Sequence, residues 1–174
     1  MLKDLECKIR EKPVICQKLI YIVTLLLDKL GLEVMSLSKV YNVFLSHSWT
    51  YPEAYDGVIK LLNNTGLPYK NYSVPKDDPV HNAKNDKELY QAIKNQISPC
   101  SVVIILAGVY SSYSKWINKE IEISKSGFNT IKPIIAVEPW GADKTSKVVK
   151  DNADEIVKWQ SSSLKSAIQG LCGK

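Results

Sequence analysis

From residue 40 onward the apolar positions of this chain switch repeatedly between runs that suit strands and spacings that suit helices. Residues 40–46 (Val-Tyr-Asn-Val-Phe-Leu-Ser) make a first β-rich run. Thr50 and Glu53 then read as a capping box with Pro52 in the first helical turn. Tyr55, Val58, Ile59 and Leu62 follow at i, i+3, i+4 and i+7, which predicts a helix closed by Asn63-Asn64-Thr65-Gly66. A short second strand is expected at 69–74, then a long polar loop at 75–84. The next helix opens at Asn85, with Glu88 three residues on, buries Leu89, Ala92, Ile93 and Ile97, and stops before Pro99. Residues 101–107 are continuously apolar at their centre, as in a parallel strand covered on both faces. A helix beginning near Trp116 and ending at Gly127, a strand at 131–137, a weak helix, a short edge strand at 155–159 and a helix from Ser163 complete the alternation.

One position breaks the pattern. At about 100° per residue, Trp116, Ile117, Ile121 and Ile123 define an apolar arc, and Glu120 projects from its middle while Glu122 points away. A carboxylate on a buried helix face is costly unless it is paired, hydrogen-bonded or lining a cleft. Glu120 is therefore the first candidate for chemistry. The second is residues 43–48, Val-Phe-Leu-Ser-His-Ser, where an apolar strand turns abruptly polar, as strands do where they open onto a ligand crevice.

The first 34 residues differ from the rest. The apolar stretch 19–27 is shorter than the ~20 residues of a membrane span, and no small-residue cleavage site follows it. Residues 1–36 are read as a helical extension, entered through Pro13 and stopped at Gly31, ahead of a domain at 37–174. Leu32-Glu33-Val34 before Met35 is encodable by a purine-rich ribosome-binding run, so a start at Met35 is weighed beside that extension.

With 174 residues, 45% of them hydrophobic, the chain can bury a real core. Its net charge of +5 is almost all lysine, with Arg10 the sole arginine. Guanine and phosphate readout favour arginine, so no nucleic-acid partner is expected, and no membrane. Cys7, Cys16, Cys100 and Cys172 are scattered, without metal or redox spacing, and read as reduced thiols in a cytoplasmic protein. His47 and His81 are too few and too separated for a metal site.

Together, Val-Phe-Leu-Ser-His-Ser at 43–48 and the Trp-x-x-x-Glu helix from Trp116 to Glu120 resemble the TIR-domain family, in particular the TIR-like proteins of bacterial Thoeris antiphage defence. The resemblance spans about residues 38–170. It implies a flavodoxin-like three-layer α/β sandwich around a five-stranded parallel sheet, whose order 2-1-3-4-5 also suits the right-handed crossover rule. It further implies that Glu120 is catalytic in cleaving NAD, as substrate rather than cofactor, and that the product is a cyclic ADP-ribose isomer that activates a separate effector. The loop at 75–84 resembles the segment that covers substrate and contacts neighbouring subunits, which implies a homo-oligomer.

In such a sheet the crevice lies outside the carboxyl ends of the strands. The expected substrate-binding residues are Phe44, Ser46, His47, Trp49, Ser73, Gly108, Tyr110 and Trp116. Three of these also have a plain structural explanation, Phe44 and Trp116 as core and His47 as a cap at a strand end; Glu138 is weighed as a second pocket carboxylate against a turn residue before Pro139. No Gly-x-Gly-x-x-Gly or Walker loop is present. One carboxylate suffices for NAD because the nicotinamide leaving group already carries positive charge, unlike ordinary glycosides. Ionised Glu120 would hold ribose hydroxyls and offset the developing cation.

Three enzyme or signalling rivals share the topology. Flavodoxin needs a phosphate cradle after the first strand, and a response regulator needs an acidic pair there; this chain has Ser46-His47-Ser48. A nucleoside deoxyribosyltransferase uses the same oxocarbenium chemistry and differs only in substrate. From another class, a non-enzymatic TIR-like assembly module would keep the Trp-x-x-x-Glu helix as packing.

Overall fold

The computed structural model describes residues 39–46, 52–74, 85–108, 115–139 and 146–173. The 1–36 extension, the 75–84 loop and the Thr50 cap fall outside them. Among the described residues ten elements alternate: β1 (Tyr41–Ser46), α1 (Pro52–Asn63), β2 (Tyr69–Asn71), α2 (Asp86–Ile97), β3 (Val102–Leu106), α3 (Lys115–Ser126), β4 (Ile134–Val137), α4 (Lys147–Asn152), β5 (Glu155–Val157) and α5 (Ser161–Cys172). The strands form one sheet of five in the order β2-β1-β3-β4-β5, and every neighbouring pair is parallel. This is the flavodoxin-like order expected from the sequence.

The side-chain alternation of the strands sorts the core into two layers. Tyr41, Val43, Leu45, Val102, Ile104, Ile135 and Val137 face α1 and α5, where they meet Val58, Leu62, Leu164, Ala167 and Ile168. Phe44, Val103, Ile105, Ile134 and Ala136 face the other way, onto Ile93 and Ile97 of α2, Ile117, Ile121 and Ile123 of α3 and Val149 of α4. Residues apolar on every position, such as Val102 to Ile105, are fully covered on both sides of the sheet.

Local chemistry sets the ends of the elements. The Asn85 side chain accepts from the amides of Lys87 and Glu88 at 3.1 and 3.0 Å, and its own amide group donates to the Glu88 carboxylate at 3.1 Å. Two of the orphan amides of α2 are thereby satisfied. Gly66 closes α1 at φ 68°, a left-handed conformation that favours glycine. A Cβ on Gly127 would stand 2.6 Å from the Ile123 carbonyl oxygen, so the turn out of α3 admits only glycine there without a shift.

Every strand is shorter than the pattern predicts, β1 and β3 by one residue at an end and the other three by more. β4 begins at Ile134 rather than 131, because Pro133 has no amide to give the ladder and Ile131 stands 55% exposed before it. β2 stops at Asn71 rather than 74: the Leu45 amide of β1 donates to the Ser73 hydroxyl at 2.9 Å instead of to a main-chain carbonyl. β5 ends at Val157, two residues early, after which the chain bends towards α5.

Candidate functional site

The carboxyl ends of β1, β3 and β4 place Ser46, Gly108 and Glu138 along one edge of the sheet. Main-chain bonds extend that edge past the strands. Ala107 donates to Val137 and Glu138 to Val157, each at 2.8 Å, and the Ser146 amide returns to Ala107 at 3.0 Å. The first turns of α3 lie over the face that carries Phe44, and they bring Trp116 and Glu120 to the same edge.

Glu120 is 5% exposed and Ser46 3% exposed, while Glu122 is exposed, as the apolar arc predicts. The Ser46 hydroxyl donates to Glu120 Oε2. Burial pushes the carboxyl up to about 8, and the Ser46 hydrogen bond partly offsets that by favouring the ionised form. Burial thus favours the protonated carboxyl, where the sequence reading takes it as ionised. A cation brought against it would reverse the balance, since opposite charge in a low-dielectric setting favours the carboxylate.

The other expected residues divide into groups. Phe44 is 1% exposed and belongs to the core of this face, in the layer that also holds Ile117 and Ile121. Trp116 is half-buried and packs against the same core. The Ser73 hydroxyl is engaged within the fold: it accepts from the Leu45 amide and donates to the Asn71 side chain at 2.6 Å. Gly108 lies at the edge, where a Cβ would make ordinary contact with Pro139 at 3.7 Å. His47, Trp49 and Tyr110 lie outside the described residues.

Glu138, weighed as a second pocket carboxylate, is ion-paired with Lys150 at 2.8 Å. One contact near Glu120 is not evident from sequence: Lys119 stands over the Tyr90 ring at 5.8 Å. A turn further along α3, the buried Ser124 hydroxyl donates to the Glu120 carbonyl at 2.7 Å. Among the described residues no group of three or more His, Cys, Asp or Glu side chains is placed to hold a metal ion. No described helix is long and apolar enough to cross a membrane.

A parallel 2-1-3-4-5 sheet covered by helices on both faces defines the class, a flavodoxin-like α/β domain. Residues 44–144 match the family model of the Thoeris protein ThsB, TIR-like domain, and the chain belongs to that family. Comparison with curated proteins gives no match.

Among solved structures the chain is similar to the SEFIR domain of IL-17 receptor B, at 12% identity and TM-score 0.49, over 76% of this chain and 97% of that one. It is also similar to a metal-soaked Flv1 flavodiiron core from Synechocystis sp. PCC6803, at 12% identity and TM-score 0.36, over 76% of this chain and 34% of that one. A diflavin flavoprotein A3 from Nostoc sp. matches at 12% identity and TM-score 0.39, over 79% and 91%. All three are distant in sequence.

Proposed function

We propose that this chain cleaves NAD at the nicotinamide–ribose bond and makes a cyclic ADP-ribose-type messenger for antiphage defence. The observation that carries the reading is the Glu120 carboxyl, buried in the apolar layer between α3 and the sheet and held by Ser46 at the strand edge. Membership of the Thoeris TIR-like family supports it.

The chemistry asks little of the protein beyond this group. The bond from ribose C1′ to the ring nitrogen breaks, and its electron pair leaves with nicotinamide, which becomes neutral. The sugar is left as an oxocarbenium-like cation that a carboxylate can stabilise. A hydroxyl then attacks C1′ and releases its proton. Water gives ADP-ribose; a hydroxyl of the same substrate gives a cyclic isomer. The pyridinium charge of NAD also supplies the cation that would draw the proton off Glu120, so the carboxylate forms as the substrate binds. Glu120 is the catalytic residue in this reading. Of the other expected substrate contacts, Gly108 and Trp116 stand at the same edge of the sheet. The messenger would act on a separate effector protein, and the domain would work in the cytoplasm as a homo-oligomer.

A second reading, a TIR-like assembly module without turnover, is favoured by one observation: Trp116 packs on the core. It leaves the buried carboxyl without a purpose, since an apolar residue there would be less costly. The test is mass spectrometry of small molecules from cells carrying the wild-type chain or Glu120→Gln, with and without phage. NAD loss with a new ADP-ribose-sized species in infected wild-type cells alone is the expected result. Identical profiles, given confirmed expression and a triggering phage, would favour the module.

A further inference from the structure

Ser46 is the last residue of β1, and its backbone is held in register opposite Ile105 of β3. That fixes its Cα and leaves a single χ1 to place the hydroxyl. The hydroxyl has one proton to donate, and it goes to Glu120 Oε2. Ser46, at 3% exposure, lies as deep as Glu120 at 5%, so what sets it apart is that its one proton is already engaged by the carboxyl.

Glu120 reaches the same point from a helix, through a longer and more mobile side chain. A short donor on a rigid strand therefore decides which way the carboxyl faces. Its helix is anchored separately, by Ile117, Ile121 and Ile123 in the core.

The geometry points to Ser46 as a positioning residue: its hydroxyl orients the Glu120 carboxyl and stabilises the ionised form that the bond-breaking step uses, without itself touching the substrate. This revises the expectation that Ser46 binds substrate, and it rests on the NAD-cleaving reading of the site. Other titratable groups on this face have their own surroundings. Tyr72 and Tyr90 pack against the core, Lys119 stands over Tyr90, and Lys150 and Glu138 neutralise one another. The Ser46 hydroxyl is the partner that the described residues give the Glu120 carboxyl.

The test follows Glu120 directly, by 13C NMR of the full chain labelled at glutamate Cδ, with Glu120→Gln assigning the resonance. NAD turnover is measured across the same pH range. Removing a hydrogen bond to a charged group disfavours that form by about tenfold or more, so Ser46→Ala should raise the Glu120 midpoint by about one pH unit or more. The rising limb of kcat/KM should move with it. At neutral pH kcat should fall roughly tenfold with KM within about twofold, and Ser46→Thr, which keeps the hydroxyl, should restore both.

Ser124→Ala disturbs the same buried helix without reaching the carboxyl, and should leave the midpoint where it is. An unchanged midpoint in a folded Ser46→Ala chain overturns the assignment, as does failure of Ser46→Thr to restore it. A shifted midpoint in a chain that turns over no NAD keeps the Ser46–Glu120 coupling and removes the NAD-cleaving reading instead.

Discussion

The two faces of the sheet are built from the same strands but do different work. The α1/α5 face buries apolar side chains from Tyr41 to Cys172. Its nearby buried polar residue, Thr65, is spent on the Leu62 carbonyl and the Leu67 amide at the end of α1. The α2/α3/α4 face buries apolar residues as well, but among them sit Ser46, Glu120, Ser124 and Ser146. An apolar interior is favourable wherever it occurs, whereas a buried carboxyl is a standing cost. The difference shows which layer is built for stability alone and which one carries a polar cost that the proposed chemistry would explain.

The sharpest test of that division removes the carboxyl's charge and little else. Glu120→Gln keeps the shape and can still accept from Ser46, so the fold should persist while NAD turnover falls about a thousandfold, roughly 4 kcal/mol of barrier. Turnover within tenfold of wild type would refute the division, because the polar group would then have no chemical role.

The opposite face should give the converse result. Leu164 is fully buried against the sheet, and Leu164→Ala should destabilise the domain by about 3 kcal/mol, within the usual range for such a cavity. Urea denaturation would measure this, and turnover per folded molecule should stay near wild type. A parallel drop in turnover would show that the two layers are not separable.

A third effect lies in pH. The Glu120 carboxyl rises from 4.5 to about 8 on folding. Between those values the native chain holds a proton that the unfolded chain has lost, so this group's contribution is complete below pH 4.5 and is withdrawn as pH rises through 8. The slope is about 1.4 kcal/mol per pH unit. Wild type should therefore lose stability relative to Glu120→Gln across that window, with the difference flat on either side. Parallel stability curves from pH 5 to 8 would mean that the carboxyl is not buried in solution.

These contrasts were only partly legible in the sequence. The helices and the burial of Glu120 against the exposure of Glu122 followed from periodicity, which is local, whereas the sheet order came from the crossover rule and the family resemblance. Capping by Asn85 was equally local. The Ser46–Glu120 bond joins residues 74 apart, and no spacing rule reaches that far. The pairing of Glu138 with Lys150 depends on how α4 returns to the end of β4, so a residue weighed as a pocket group turned out to be ion-paired. Strand ends failed where single residues decided them: Pro133 shortened β4, and the Ser73 hydroxyl took the place of a β2 carbonyl.

The smallest effect concerns how the helices on the two faces are held. At the N-cap of α5 the Gln160 side chain caps no backbone amide, and the helix buries Leu164, Ala167, Ile168 and Cys172. α2 buries Ile93 and Ile97 in a helix of the same length, and its N-cap Asn85 holds the amides of Lys87 and Glu88. The helix with less apolar burial thus has the better cap. Asn85→Ala should cost about 1 kcal/mol, while Asn85→Asp should retain most of that because it keeps an acceptor and adds charge favoured at a helix N-terminus. Gln160→Ala, with no cap to lose, should change stability by no more than about 0.5 kcal/mol. Thermal denaturation of the three variants decides the point: equal losses for Asn85→Ala and Gln160→Ala would show that the cap is not what secures α2 beside the site.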